Sequence, residues 1–187
     1  CDGQGVSIDW EKVVNLTHAD SLELPSNCYR YQKERTPTMI VTHWDVALSA
    51  KSCYNILKNK GISSHFVIDN DGTIYQMVDT CNVGWHAGNR KVNAASVGID
   101  FSNAYYTKYQ NHYERKGFGP RPVLEDSMVH GRKLKEHLGY YPVQIEAYKA
   151  LVKCLSEHYD IPLECPLDDD GDVLTSVYNG AKNATFK

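Results

Sequence analysis

No stretch of this chain approaches the ~20 consecutive apolar residues that a bilayer-spanning helix needs. Positive charge is not in excess either. Lys and Arg number 20 against 23 Asp and Glu, a net charge of −3, which argues against a protein built mainly to hold nucleic acid. The six cysteines include no C-x-x-C pair, which argues against zinc knuckles and thioredoxin-like motifs. Their even number permits disulfides, and the spacing does not choose among the pairings. There is no internal repeat and no low-complexity tract. An initiator methionine is missing as well: the chain starts on Cys1, and an upstream segment that was processed or trimmed away is the expectation.

What is present suits a folded domain. The 187 residues are 42% hydrophobic and 23% charged, enough chain and apolar content to bury a real core. Residues 1–37 mix polar and apolar groups around the turn-rich "ELPSNCYR" and read as an N-terminal arm packed on a domain over 38–187. The apolar run at 38–43 predicts a strand. Ser49 can cap a helix over 50–60, with Ala50, Cys53, Ile56 and Leu57 on one face and Gly61 ending it. "SSHFVIDNDGTIYQMVD" predicts a hairpin turning at Asn70-Asp71-Gly72, and "SVGIDFS", 96–102, predicts a further buried strand. Residues 104–141 are long, aromatic and locally basic, as a functional or inserted loop would be. Pro142 opens a helical pattern to 159, with Tyr148, Leu151, Val152, Leu155 and Tyr159 on one face and Cys154 as an expected buried thiol. Helices alternating with strands predict a single α/β domain: a central mixed β-sheet flanked by helices.

Several candidate sites can be weighed on their residues. The acidic turns "DNDG" and "DDDGD" fail as EF-hand loops. With the glycine at position six, position one is Val67 or Pro166 and position twelve is Val78 or Val177, where acidic ligands are required. Both are better read as hairpin turns. Cys53 lies a full turn inside its helix, where a buried thiol is expected rather than a nucleophile. His43 ends an apolar strand between Thr42 and Trp44-Asp45, and alone it is ambiguous between a ligand, a base and a structural group. His86 lies in "VGWHAGN", where small residues let the backbone approach a ligand. Asp100 sits inside an apolar strand, an expensive place for a carboxylate unless it is paired or functional.

Taken together in this order, "THWD", "SSHFVIDNDGTIYQMVD", "VGWHAGN" and "SVGIDFSN" resemble the zinc-dependent N-acetylmuramoyl-L-alanine amidases of type 2. Phage lysozyme-amidases, bacterial anhydromuropeptide amidases and peptidoglycan recognition proteins share that fold. The resemblance is close over 38–103, looser through the helix at 142–159, and does not cover the arm. It implies a sheet of about six strands with helices on both faces. It also implies hydrolysis of the amide between the lactyl group of N-acetylmuramic acid and L-alanine, with peptidoglycan or muropeptide as substrate and Zn2+ as cofactor. The place of action would be the cell wall, whether secreted, periplasmic or phage-derived.

Carried over residue by residue, the resemblance makes His43 the first zinc ligand. His86 becomes a histidine lining the groove, with a catalytic and substrate-holding part, and Trp85 and Asn103 become its neighbours on substrate. Asp100 stands where many bacterial members carry the glutamate that activates the zinc-bound water, one methylene shorter here. His65 matches a hairpin histidine of structural character, and Ser64 stands where some phage members have a catalytic tyrosine. Zinc would lower the pKa of its water to about 7 and polarise the carbonyl. Asp100 would move the proton to the leaving amine. Tyr109, Tyr113, Arg115, Lys116 and Arg121 of the insertion are read equally as glycan or peptide contacts and as a packed loop. The family's other two zinc ligands come from beyond the C-terminal helix, and no histidine follows His158 here. The expectation is therefore that 1–187 hold one ligand, His43, with the others beyond Lys187. A non-catalytic peptidoglycan-binding module, or a wall- or virion-associated part of the same fold, is the alternative.

Overall fold

The computed structural model describes residues 1, 3–32, 35–129, 132–167 and 170–174. In chain order, β1 (Val13–Val14) and β2 (Tyr29–Tyr31) come from the arm, followed by β3 (Met39–Trp44), α1 (Ala50–Lys60), β4 (Phe66–Ile68) and β5 (Ile74–Gln76). Then come β6 (Asn82–Gly84), α2 (Arg90–Ala95), β7 (Ser96–Phe101) and α3 (Gln110–Arg115). A ribbon of β8 (Val123–Leu124), β9 (Met128–Val129), β10 (Arg132–Lys133) and β11 (His137–Leu138) precedes the long α4 (Pro142–Tyr159).

The main sheet has five strands in the order β1-β5-β4-β7-β3. It is mixed: β4 and β5 form the antiparallel hairpin, while β7 runs parallel to both β4 and β3. The four strands expected from the sequence share this sheet. The fifth is the arm's β1, parallel to β5 at the edge, and β2 pairs with β6 in a separate ribbon. The arm is thus built into the domain on both sides of its turn.

Caps set the two long helices where the sequence places them. The Ser49 side chain accepts the Ser52 N–H at 3.3 Å. Gly61 ends α1 in the left-handed region, φ 64°, which a side chain would resist. α4 starts on Pro142, whose missing N–H would be unpaired there anyway. Gln144 accepts the Tyr141 N–H at 3.2 Å and donates to Ile68 O and Ser102 O. That amide ties the start of α4 to the ends of β4 and β7.

The two helices cover opposite faces of the sheet. Ala147, Leu151, Leu155 and Tyr159 of α4 pack on Phe66, Ile68, Val97, Ile99 and Phe101. Ala50 and Cys53 of α1 pack with Val67, Met77 and Val78. Each such aliphatic or aromatic side chain contributes roughly 1.5–3 kcal/mol when fully buried. Cys154 departs from expectation: it is half-buried, its thiol donating to Ser7 O at 3.4 Å, because it lies at the flank of the apolar stripe. Among the described residues no helix is long and apolar enough to cross a membrane.

The insertion resolves into a packed unit. Tyr113, Leu138 and Tyr141 form a small core of their own. Arg121, 2% exposed, lies between the rings of Tyr113 and Tyr141, 4.4 Å from each centroid. Its guanidinium donates to Ser102 O, Gly139 O, Gln144 Oε1 and Asn70 Oδ1. Arg121 and Tyr113 are therefore core groups, which settles those two residues as packing rather than substrate contacts. Of the two acidic turns, Asp69–Gly72 is the hairpin turn, with Gly72 N donating to Asp69 O at 3.0 Å. The other is flanked by an antiparallel bridge between Leu167 and Val173, and its Asp168 and Asp169 lie outside the described residues.

Candidate active site

β7 is the central strand, and all six of its residues are buried. Side chains alternate across a strand. Val97, Ile99 and Phe101 enter the α4 core, so Ser96, Gly98 and Asp100 point to the other face. On β3, His43 is in register with Asp100 and Trp44 with Phe101. Paired residues of parallel neighbours share a face, so His43 stands beside Asp100 although 57 positions separate them in the chain.

The loop after β6 brings in His86. Its Nδ1 lies 3.0 Å from His43 Nε2 and its Nε2 lies 3.3 Å from Ser96 Oγ. Gly98 makes the approach possible: a Cβ there would sit 2.7 Å from His86 Cγ. Both ring nitrogens of His86 are taken by protein partners. Its contacts are with His43 and Ser96. Burial, and then the neighbouring His65, His43 and Arg35, push its pKa down to about 2. His65 is fully buried and structural: Gly98 N donates to Nδ1 at 2.9 Å, and Nε2 donates to Asn82 O at 3.0 Å. Burial and the Arg35 charge lower its pKa to about 3. Burial also lowers His43, while Asp100 opposes that shift.

Asp100 is 5% exposed. Burial raises its pKa; His43, Ser64 and Cys53 pull the other way. The Cys53 thiol donates to Asp100 Oδ2 at 3.7 Å. It also neighbours Asp45, and burial with both carboxylates drives the thiol pKa upward. Asp45 Oδ1 accepts from Ala47 N at 2.8 Å and Asn103 N at 3.0 Å. Burial nonetheless raises its pKa to about 7. Asp45 thus joins the loops that follow β3 and β7, and Val46 beside it holds a left-handed φ of 54°, a strained value for a β-branched residue.

Cys53, Ser64, Ser96 and Asp45 are the neighbours that sequence reasoning left out of the site. The alternation of Ser96, Gly98 and Asp100 was a usable signal for Ser96. Asn103 is fully buried, its amide donating to Leu138 O and Gly139 O and accepting from Tyr105 N. Trp85 is 39% exposed.

A catalytic zinc takes three protein ligands and one open position. Among the described residues no three His, Cys, Asp or Glu side chains gather to hold a metal ion. His86 is occupied as described, and Asp100 is turned to Cys53 and Ser64. The described residues therefore do not supply the donor set.

An α/β domain with a buried carboxylate and an imidazole at the ends of two parallel strands, and a second imidazole from the loop after β6, has the general make-up of a hydrolase. The profile of the N-acetylmuramoyl-L-alanine amidase family matches residues 33–173. The chain belongs to that family. No curated protein matches it. Similar solved structures include a mutant endolysin from Bacillus subtilis, at 20% identity over 88% of this chain and 83% of that one, TM-score 0.51. The N-acetylmuramyl-L-alanine amidase AmiD from E. coli, solved with a muropeptide substrate, is 22% identical over 71% of this chain and 46% of its own, TM-score 0.47. A Drosophila peptidoglycan recognition protein, PGRP-SA, is 21% identical over 74% and 69%, TM-score 0.44. The endolysin supports the fold.

Proposed function

We propose that this domain acts on peptidoglycan in the cell wall, hydrolysing the amide between N-acetylmuramic acid and L-alanine of the stem peptide. The observation that carries the proposal is Asp100: a carboxylate inside the central strand, beside His43, on the sheet face that α4 does not cover. Its raised pKa suits a group that accepts a proton from an attacking water and returns it to the leaving amine. His43, neutral and partly exposed, offers a basic nitrogen next to it. His86 and Ser96 hold His43, and Cys53 and Ser64 hold Asp100. The exposed Trp85 offers an aromatic face for substrate.

Zinc dependence belongs to the resemblance, with His43 as the ligand it assigns. No step is derived through the metal here, because the described residues do not assemble its donor set. That same observation favours a second reading, in which the groove binds wall fragments without cutting them. One assay separates the two. Purified sacculi are incubated with the full natural chain, with and without a chelator. New L-alanine amino termini and free muramic lactyl ends are then counted. Chelator-sensitive release is the expected result. Binding to sacculi without release would leave the second reading.

A further inference from the structure

The sheet face under α4 holds a polar side chain that its surroundings do not explain. In the antiparallel hairpin Gln76 is in register with Phe66, so the two share a face, and Phe66 belongs to the α4 core. Gln76 is 8% exposed. Among the described residues its Nε2 is buried with no hydrogen-bond partner. A buried donor left unpaired weakens the fold. Leucine or methionine would fill the same space without that cost.

Gln76 lines a cavity of about 390 Å3 where the arm meets the sheet and α4. Val6 and Ile8 of the arm, Phe66 and Ile74 of the hairpin, and Leu151 and Leu155 of α4 give it apolar walls. Gly3, Gln4 and Gly5 line it too and are exposed, which opens it to solvent. Its other polar groups are engaged. The Asp79 carboxylate accepts Gly3 N at 2.9 Å and Cys81 N at 3.0 Å. Asn15 Oδ1 accepts the Thr17 N–H and hydroxyl, and the Cys154 thiol donates to Ser7 O. Among the described residues no lysine, arginine or histidine lines the space, so an anion would meet Asp79 and no countercharge from a side chain. The volume falls within the roughly 300–1,000 Å3 of small-molecule sites. It holds roughly a dozen non-hydrogen atoms at the ~30 Å3 that a water takes in the liquid.

We propose that this cavity is a second binding site, on the sheet face opposite His43 and Asp100, for a small neutral molecule: an apolar body carrying a carbonyl oxygen that accepts from Gln76 Nε2. The apolar walls take the body, and the one free donor fixes its orientation. A bound molecule would touch the arm, β5 and α4 together, and so tie the arm to the domain. The site stands on the cavity and the Gln76 amide, and not on the function proposed above.

The test is a titration of the full natural chain, nitrogen-labelled, with acetophenone, followed by backbone amide shifts in NMR spectra. Two comparison molecules bracket it. α-Methylstyrene has the same shape with a CH2 group in place of the oxygen, and benzoate carries a negative charge. Acetophenone should give saturable shifts at Gln76, Leu151 and Leu155. α-Methylstyrene should bind about five- to tenfold more weakly for want of the hydrogen bond, and benzoate should leave those residues unmoved. Gln76→Leu should bring acetophenone down to the affinity of α-methylstyrene. Val6→Trp, whose ring would fill the cavity, should abolish both. Acetophenone without saturable shifts at these residues overturns the proposal, as does equal affinity for acetophenone and α-methylstyrene, or for acetophenone and benzoate, in the unsubstituted chain. If either variant does not fold, the three titrations of the unsubstituted chain still decide. Because no turnover is read, a protein without amidase activity would refute the proposed function and leave this result standing.

Discussion

The two faces of β7 differ sharply in chemistry. One presents Val97, Ile99 and Phe101 to α4 and is wholly apolar. The other presents Ser96, Gly98 and Asp100, and on it rest two imidazoles, a thiol and a second carboxylate. Both are buried. The strand can carry a polar face because its backbone is already paired on both sides, with β4 and β3. Side chains and main-chain groups of neighbouring elements then satisfy the polar atoms. The apolar face supplies stability, and the polar face is where the chemistry is assigned.

Substitutions can break that contrast in order of size. On the apolar face, Ile99→Ala should destabilise the domain by about 2–5 kcal/mol in denaturant unfolding, through lost burial and a cavity. Asp100→Asn on the other face should leave stability within about 1 kcal/mol of the parent, since burial disfavours the charge of Asp100 and the amide keeps its shape without that cost. A loss as large as that of Ile99→Ala would make Asp100 a structural partner. Between these two lies Gly98→Ala. Its Cβ would fall 2.7 Å from His86 Cγ. The ring must shift, at roughly 1–3 kcal/mol, and the His43–His86 contact should be lost in a structure of the variant.

The polar face should also make stability depend on pH. His65 and His86 are neutral when folded, with pKa values lowered from 6.5 to about 3 and about 2. Between those values the unfolded chain binds protons that the folded one does not. Stability is thus complete above the unfolded pKa and falls as the pH drops below it. Each group adds a slope of up to about 1.4 kcal/mol per pH unit. Unfolding midpoints measured from neutral to mildly acidic pH should show this fall, and His65→Gln should flatten it. The smallest effect belongs to Trp85→Ala, which should leave stability within about 0.5 kcal/mol and weaken binding to sacculi by a few-fold in a pull-down titration.

The helices and central strands were legible because their signals are local. Ser49, Gly61 and Pro142 mark helix ends by their own chemistry, and α1 and α4 have the expected bounds. Strand β7 announced itself as an apolar run with one carboxylate. The arm's β1 and β2 did not, because strands of two and three residues have no period to read and owe their state to β5 and β6. Arg121 was equally opaque. A charged residue in a Gly- and Pro-rich stretch is ordinarily exposed, and only the tertiary stack of Tyr113 and Tyr141 buries it. In the site, His43 and Asp100 could be named from sequence. The main-chain partners of the Asn103 amide and the contact of Cys53 with Asp100 were not legible, because tertiary neighbours of this kind are not written in adjacent residues.

The central claim is that Asp100 serves the chemistry and not the core. It is tested most directly by incubating sacculi with the full natural chain and with its Asp100→Asn variant, matched for folded protein, and counting new L-alanine amino termini over time. The account predicts release by the parent and a rate lower by about 100-fold or more in the variant. Equal rates in the two proteins would contradict it.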